Sequence, residues 1–287
     1  MDAREIQVPE DVVDARVDRL LAAELQISRR YAVRLIKRGL VQIKGALVQK
    51  GTLLRPGERL AIAAFRHPDE GPEANSLALP LLAASDSFLA FDKPAGMPSL
   101  PLDFEENTTA VNAALAQYPE LALVGDRKLE TGLVHRLDTQ TSGVLVFARN
   151  DAALGRARDA LAAGRAHKEY RARVEGTLRP QRIELALSES GKQVRTDRSG
   201  RISITEGRAV IPDGDTSLVD VLLVSGLRHQ IRVVLAHLGN PIVGDALYGN
   251  AGSERRHWLH ASRFELEEFK ADAPPPPELA ISDERAP

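Results

Sequence analysis

Gly132-Leu133-Val134-His135-Arg136-Leu137-Asp138-Thr139-Gln140-Thr141-Ser142-Gly143 runs directly into Val144-Leu145-Val146-Phe147-Ala148. The second part is a continuous apolar run of strand length, so it reads as a buried strand. The first part gathers charged and hydroxyl-bearing side chains at the leading edge of that strand, a place where a rigid element can hold them for function. The same residues also fit a polar turn that caps the strand, because Asp, Thr, Ser and Gly are ordinary turn formers.

Working outward, 151–163 has a helical period that stops at Gly164, while 170–174 and 218–224 have strand patterns. Ser225-Gly226-Leu227-Arg228-His229-Gln230-Ile231-Arg232 follows at a strand-to-helix transition. Arg228, His229, Gln230 and Arg232 there bring donors to a helix N-terminus, which suits an anion or a carboxylate. The helix, 230–238, places Ile231, Val234, Leu235 and Leu238 on one face. Toward the N-terminus, 110–117 reads as a helix stopped before Pro119, and 88–91 as a strand ended by Lys93-Pro94-Ala95-Gly96. Strands and helices without regular βα alternation predict an α+β fold.

The first sixty residues have a different texture. Val13, Val17, Leu20, Leu21 and Leu25 recur at helical spacing. Ser28 is placed to cap a second helix, 29–38, that buries Ala32, Leu35 and Ile36 and ends at Gly39. Short strands follow, with turns at Lys44-Gly45 and Pro56-Gly57. The net charge of −2 averages over unequal regions: 29–59 holds nine Arg or Lys against Glu58 alone, and 156–182 holds eight against Asp159, Glu169 and Glu175. Basic patches of this kind fit a polyanion partner, though each alone also fits a solvated charged face. A Pro, Glu and Gly rich stretch separates the two regions, and the acidic tail with Pro274 to Pro277 is expected to pack little. The expected organisation is therefore 11–63, a linker at 64–77, a main domain at 78–270 and a Pro-rich acidic tail at 271–287.

The nine residues from His135 to Gly143 resemble the signature of the RluA-type pseudouridine synthases. Other stretches follow in family order: Lys93-Pro94-Ala95-Gly96, Lys168-Glu169-Tyr170, His229-Gln230-Ile231-Arg232, Gly239-Asn240-Pro241-Ile242-Val243-Gly244-Asp245 and Leu247-Tyr248-Gly249. Residues 11–63 are similar to the small RNA-binding domain named for ribosomal protein S-four. The resemblance implies an α+β chain: an S-four-like domain, then a catalytic domain whose mixed, mainly antiparallel sheet is flanked by helices and loops. It implies catalysis by Asp138, Tyr170 and Arg232. Asp138 attacks the nucleotide or abstracts a sugar proton, Arg232 holds its carboxylate, and Tyr170 stacks on the flipped base. Arg136 fills the gap left in the RNA stack, and His135, Lys168, Arg228, His229 and Gln230 complete substrate binding. Arg29, Arg30, Arg34, Lys37, Arg38 and Lys44 are the expected RNA contacts of the small domain. The chain departs from the family at Gly226-Leu227-Arg228, where Gly-Arg-Thr is usual, and in the loop Met97-Pro98-Ser99-Leu100-Pro101.

An isomerisation needs no cofactor, nucleotide or metal, and none is expected. Cysteine is absent, there is no GxGxxG or P-loop, and His257 and His260 lack an obvious third ligand. A phosphate-transferring aspartate would need Mg²⁺ held by further carboxylates, and position 140 is Gln. The expected partner is structured RNA, ribosomal before transfer RNA; a non-catalytic ribosome-assembly factor is the alternative. With no run near the ~18 apolar residues of a membrane span and a polar start MDAREIQVPE, a cytoplasmic protein is expected, monomeric by default.

Overall fold

Seven consecutive buried residues make Ser142–Ala148 a central strand, covered on both faces. The computed structural model that shows this describes residues 1–11, 15–126, 128–191, 193–250, 252, 254, 256–267 and 269–280. It divides into two units, Met1–Gly71 and Pro72–Pro287. Among the described residues, no helix is long and apolar enough to cross a membrane.

In the first unit, β1 (Arg4–Gln7) and β2 (Ala15–Arg16) precede α1 (Val17–Glu24) and α2 (Arg29–Lys37). Next come β3 (Val41–Ile43), β4 (Ala46–Leu47), β5 (Leu53–Leu54) and β6 (Arg59–Ile62). The sheet order is β1-β6-β3-β4, and β2 pairs with β5. The helix read from Val13 begins at Val17, because Ala15 and Arg16 pair with Leu54 and Leu53 instead; Val13 lies outside the described residues. Ser28 caps α2 by accepting the Tyr31 N–H, a bond worth about 1 kcal/mol. Part of the expected linker belongs to this unit. Phe65 is buried, the Tyr31 hydroxyl donates to the Arg66 carbonyl, and Pro68–Glu70 forms a capped single turn.

The second unit contains β7 (Leu81–Ala84), β8 (Phe88–Lys93), α3 (Ala110–Gln117), β9 (Ser142–Ala148), α4 (Asp151–Ala162) and β10 (His167–Glu175). The chain continues through β11 (Gln181–Ser190), β12 (Gln193–Thr196), β13 (Arg201–Asp213), β14 (Thr216–Leu223), α5 (Gln230–His237), β15 (Leu259–Leu266) and β16 (Phe269–Asp272). These strands form a ten-stranded sheet in the order β12-β11-β13-β14-β10-β15-β9-β8-β7, with β16 beside β15. All pairs are antiparallel except β15 with β9, so the unit is a mixed α+β structure. One apolar cluster, including Phe91, Leu137, Tyr170 and Ile231, packs α3 and α5 on the sheet; a second packs α4.

The β9–β15 contact positions everything that follows. Only Ser142 and Gly143 pair with His260 and Ala261, so β9 joins its neighbour just where the polar loop ends. Across the sheet, Val221, Tyr170, Ala261 and Gly143 fall in one register row. Gly143 has φ +106, and a Cβ there would strike the Ala261 backbone, so only glycine permits this approach. The tail packs more than expected. Ala271, Ala273 and Leu279 are buried, and Arg173 donates to the Glu278 carbonyl at 2.8 Å, because β16 extends the sheet beyond residue 270; 281–287 lie outside the described residues.

Candidate active site

The polar loop is a protrusion from a hairpin-like pairing. Val134 N–H donates to the Val146 carbonyl and Ala148 N–H to the Gly132 carbonyl, which leaves 135–141 to project past the start of β9. Its backbone is fastened on both sides of Asp138. Leu137 N–H donates to Ser99 Oγ at 2.9 Å and the Ser99 hydroxyl donates back to the Leu137 carbonyl at 2.7 Å. The Thr139 carbonyl accepts from Gly96 N–H at 2.8 Å and from Lys93 Nζ at 3.2 Å. Beyond it, His257 Nε2 lies 2.9 Å from Thr141 Oγ1, His260 Nδ1 lies 2.9 Å from Ser142 Oγ, and Arg256 donates to Ser142 Oγ at 3.2 Å. Loop and strand ends are thus over-determined, which is how a site keeps one geometry.

Arg232, in the first turn of α5, donates from Nη1 to Asp138 Oδ2 at 2.7 Å. Its other edge is taken by a second carboxylate, Nε to Asp245 Oδ2 at 2.7 Å and Nη2 to Asp245 Oδ1 at 2.8 Å. Burial works against the guanidinium charge, but the Asp245 and Asp138 carboxylates outweigh it and push the group above its ordinary value. Asp245 mirrors this: burial raises it, and Arg232 brings it below the usual carboxylate range. The Tyr248 ring backs the same guanidinium, with Cζ 5.1 Å from the ring centroid. His229 Nε2 lies 3.7 Å from Asp138 Oδ1, and burial holds the ring below the ordinary histidine value.

Asp138, His229 and Arg232 line an open cleft of about 1240 Å³. Arg136, Arg158, Lys168, Arg201, Arg228 and Arg232 face it, against the carboxylates of Glu106, Glu130 and Asp138. The excess is basic, and the space exceeds the few hundred Å³ that a small ligand needs. Tyr170 lines the cleft from β10. Burial and then the Asp138 charge push its hydroxyl upward, so the ring stays a neutral aromatic surface. Lys168 shares its strand face, and burial draws it from 10.5 down to about 8.

The structure therefore brings Asp138, Tyr170 and Arg232 to one cleft, with Arg136 exposed on the loop. Gln230 departs from the expectation of substrate binding. Its amide oxygen accepts from the Ser225 hydroxyl and Leu227 N–H, and its Nε2 donates to the Ile204 carbonyl and Thr205 Oγ1; it therefore fastens the turn into α5. Arg228 reaches the Gly191 carbonyl at 3.1 Å and Glu189 at 3.5 Å from the cleft wall. His135 stacks on Phe264, centroids 5.0 Å apart, and burial draws it down to about 3, so it stays neutral. In the first unit, Arg29 donates to fully buried Asp18 at 2.7 Å while its side chain stays 48% exposed. Arg30, Lys37, Arg38 and Lys44 are exposed, and Arg34 is half-buried. No cluster of three or more metal-ligating side chains occurs among the described residues. Asp245, Tyr248, Ser99 and Lys93 had no assigned role in the sequence; the stretches around them were visible, but their contacts were not.

Comparison with known proteins points to the family that the motifs resemble. A family model described as RNA pseudouridylate synthase matches residues 87–237. The chain is 38% identical over 91% of its length to an uncharacterized RNA pseudouridine synthase of Chloroflexus aurantiacus, covering 83% of that protein. It is 32% identical over 96% of its length to ribosomal large subunit pseudouridine synthase D of Xanthomonas campestris pv. campestris, covering 90% of it. The solved structure of human RNA pseudouridylate synthase domain containing 1 aligns with a TM-score of 0.57 at 25% identity, over 72% of this chain and 88% of that one.

Proposed function

The chain belongs to the RNA pseudouridylate synthase family, as an RluA-type isomerase converting uridine to pseudouridine in RNA, and from that premise we propose that Asp138 is its reacting group and large-subunit ribosomal RNA its target. The observation that carries the first part is the division of labour at the carboxylate. Oδ2 is held by Arg232 at 2.7 Å, whereas the His229 Nε2 that faces Oδ1 stands off at 3.7 Å, so one oxygen is anchored and the other is held less tightly. Both chemical routes need that arrangement. If Oδ1 attacks C1′, the C1′–N1 bond breaks as the Oδ1–C1′ bond forms, the uracil turns, and C5 displaces Oδ1 from C1′. If Oδ1 takes a sugar proton, that proton returns to the sugar as C1′ bonds to C5. In both routes the C5 proton leaves and N1 gains one. Atoms balance without any added reagent. Tyr170 offers a ring face for the flipped uracil, and Arg136 fills the vacated place in the stack, offsetting part of the few kcal/mol of unstacking.

The target rests on relatives named ribosomal large subunit pseudouridine synthase D in Xanthomonas, Zymomonas and Pseudomonas. It also rests on the first unit, read as an S-four-like RNA-binding domain working in the cytoplasm: α2 buries Tyr31, Ala32, Leu35 and Ile36 and leaves Arg30 and Lys37 exposed. Two measurements test the proposal. Asp138→Asn should abolish pseudouridine formation in an unmodified large-subunit ribosomal RNA transcript; full activity in that variant removes Asp138 from the chemistry. Pseudouridine maps of a strain lacking the protein should lose a large-subunit site, and a loss confined to transfer RNA would move the target there.

A further inference from the structure

Arg232 accounts for one oxygen of Asp138, and the other faces His229 Nε2. What His229 presents to that oxygen is set from behind. Its Nδ1 lies 2.8 Å from the Tyr248 hydroxyl oxygen, and the same oxygen accepts the Val194 amide N–H at 2.8 Å. With that amide bound, the hydroxyl completes its bonding by donating its own proton to Nδ1. The reverse choice, an Nδ1–H donating to the oxygen, would leave the phenolic proton without an acceptor among these groups. A neutral imidazole that accepts at Nδ1 carries its proton on Nε2. A carboxylate only accepts, so this is also the tautomer that Oδ1 favours.

Tyr248 touches the other donor as well. Its ring lies under the Arg232 guanidinium at 5.1 Å and meets the His229 ring edge-on at 5.7 Å and 75°. Its backbone N–H donates to Asp245 Oδ1 at 3.3 Å, the carboxylate that grips Arg232. His229 itself sits at φ 53, a left-handed conformation that histidine tolerates better than bulkier residues.

We propose that Tyr248 is a positioning residue for the reaction: its hydroxyl fixes His229 with Nε2–H toward Asp138 Oδ1, while its ring braces the Arg232 that holds Oδ2. This rests on the reading of Asp138 as the reacting carboxylate. The charged and titratable groups facing His229 are Asp138, Arg232, Arg228, Asp245 and Tyr248. Tyr248→Phe keeps the ring over Arg232 and removes only the hydroxyl.

Long-range proton–nitrogen NMR of the full chain near neutral pH reads the tautomer directly, with the His229 signals assigned by their absence in His229→Gln. Wild type should show Nδ1 bare and Nε2 protonated, and Tyr248→Phe should move both toward the averaged values of exchanging tautomers. In single-turnover reactions on the unmodified large-subunit ribosomal RNA transcript, Tyr248→Phe and His229→Gln should each lower the rate about tenfold, the usual scale for an orienting partner. The double variant should lose less than about twofold more, because both act through one contact. A protonated Nδ1 in wild type, an unchanged tautomer in Tyr248→Phe, or fully additive losses would overturn the proposal. Asp138→Asn in the same assay separates the two ideas: if it stays active, the reading of Asp138 fails, and the tautomer result stands on its own.

Discussion

Asp245 holds Arg232 by two parallel hydrogen bonds, Nε to Oδ2 at 2.7 Å and Nη2 to Oδ1 at 2.8 Å, and this fork leaves Nη1 pointing at Asp138. The Asp245 side chain is 0% exposed and that of Asp138 is 26% exposed. The two carboxylates on one guanidinium therefore have different jobs, one anchoring and one facing the cleft. Asp245→Ala should destabilise the protein by about 3 kcal/mol or more, because it strips a buried guanidinium of its enclosed partner. Asp138→Asn should shift stability by no more than about 1 kcal/mol while abolishing activity. Urea unfolding of both variants checks this, and equal losses would refute the division.

Lys93 gives a pH signature. It is fully buried, donates to the Pro94, Met97 and Thr139 carbonyls, and burial draws it from 10.5 down to about 7, against the Asp138 and Asp92 charges that favour its protonated form. Between those values the unfolded chain carries a proton that the folded chain has released. Stability should therefore rise with pH across that window, by at most about 1.4 kcal/mol per pH unit, and lose this contribution to the slope below it. Subtracting the same curve for Lys93→Met isolates the effect. Parallel curves for the two proteins would show that Lys93 does not titrate there.

Gly143 and Gly155 should respond to alanine with opposite signs. Gly143→Ala forces a Cβ into the Ala261 backbone at φ +106, and it should cost more than about 2 kcal/mol or prevent soluble expression. Gly155 lies inside α4 with nothing within 4 Å of an added Cβ. There alanine should stabilise by about 0.5 to 1 kcal/mol through helix propensity alone. Denaturation midpoints of the pair decide it, and a well-tolerated Gly143→Ala would contradict the close strand approach.

Arg136 separates unstacking from chemistry. If it fills the space of the flipped nucleotide, Arg136→Ala should lose about tenfold in kcat/KM on folded ribosomal RNA, within the few kcal/mol that unstacking involves. On a short single-stranded oligonucleotide of the same sequence the loss should shrink to about twofold, because little stacking has to be replaced. An equal loss on both substrates would assign Arg136 to backbone binding instead.

Local chemistry fixed much of this protein in advance. A helix announces itself by period and cap, so α2 with Ser28, α3 over Ala110–Gln117 and the apolar run of β9 were readable, as was the α+β class. The nine residues ending at Gly143 named Asp138, and the motifs around Tyr170 and Arg232 named its companions. Partner choice was not readable. Gln230 carries the same donors as any nucleic-acid contact, yet it bonds inward, to Ile204 and Thr205. The long β11–β13 hairpin and the sheet extension at β16 were missed because polar, half-exposed strands have weak periodicity. Arg232 and Asp138 stand 94 positions apart, and Val194 reaches Tyr248 across 54. Hydrogen bonds of that kind depend on how strands are ordered in the sheet, and composition or spacing along the chain contains no record of which side chain finally lies within 3 Å of which.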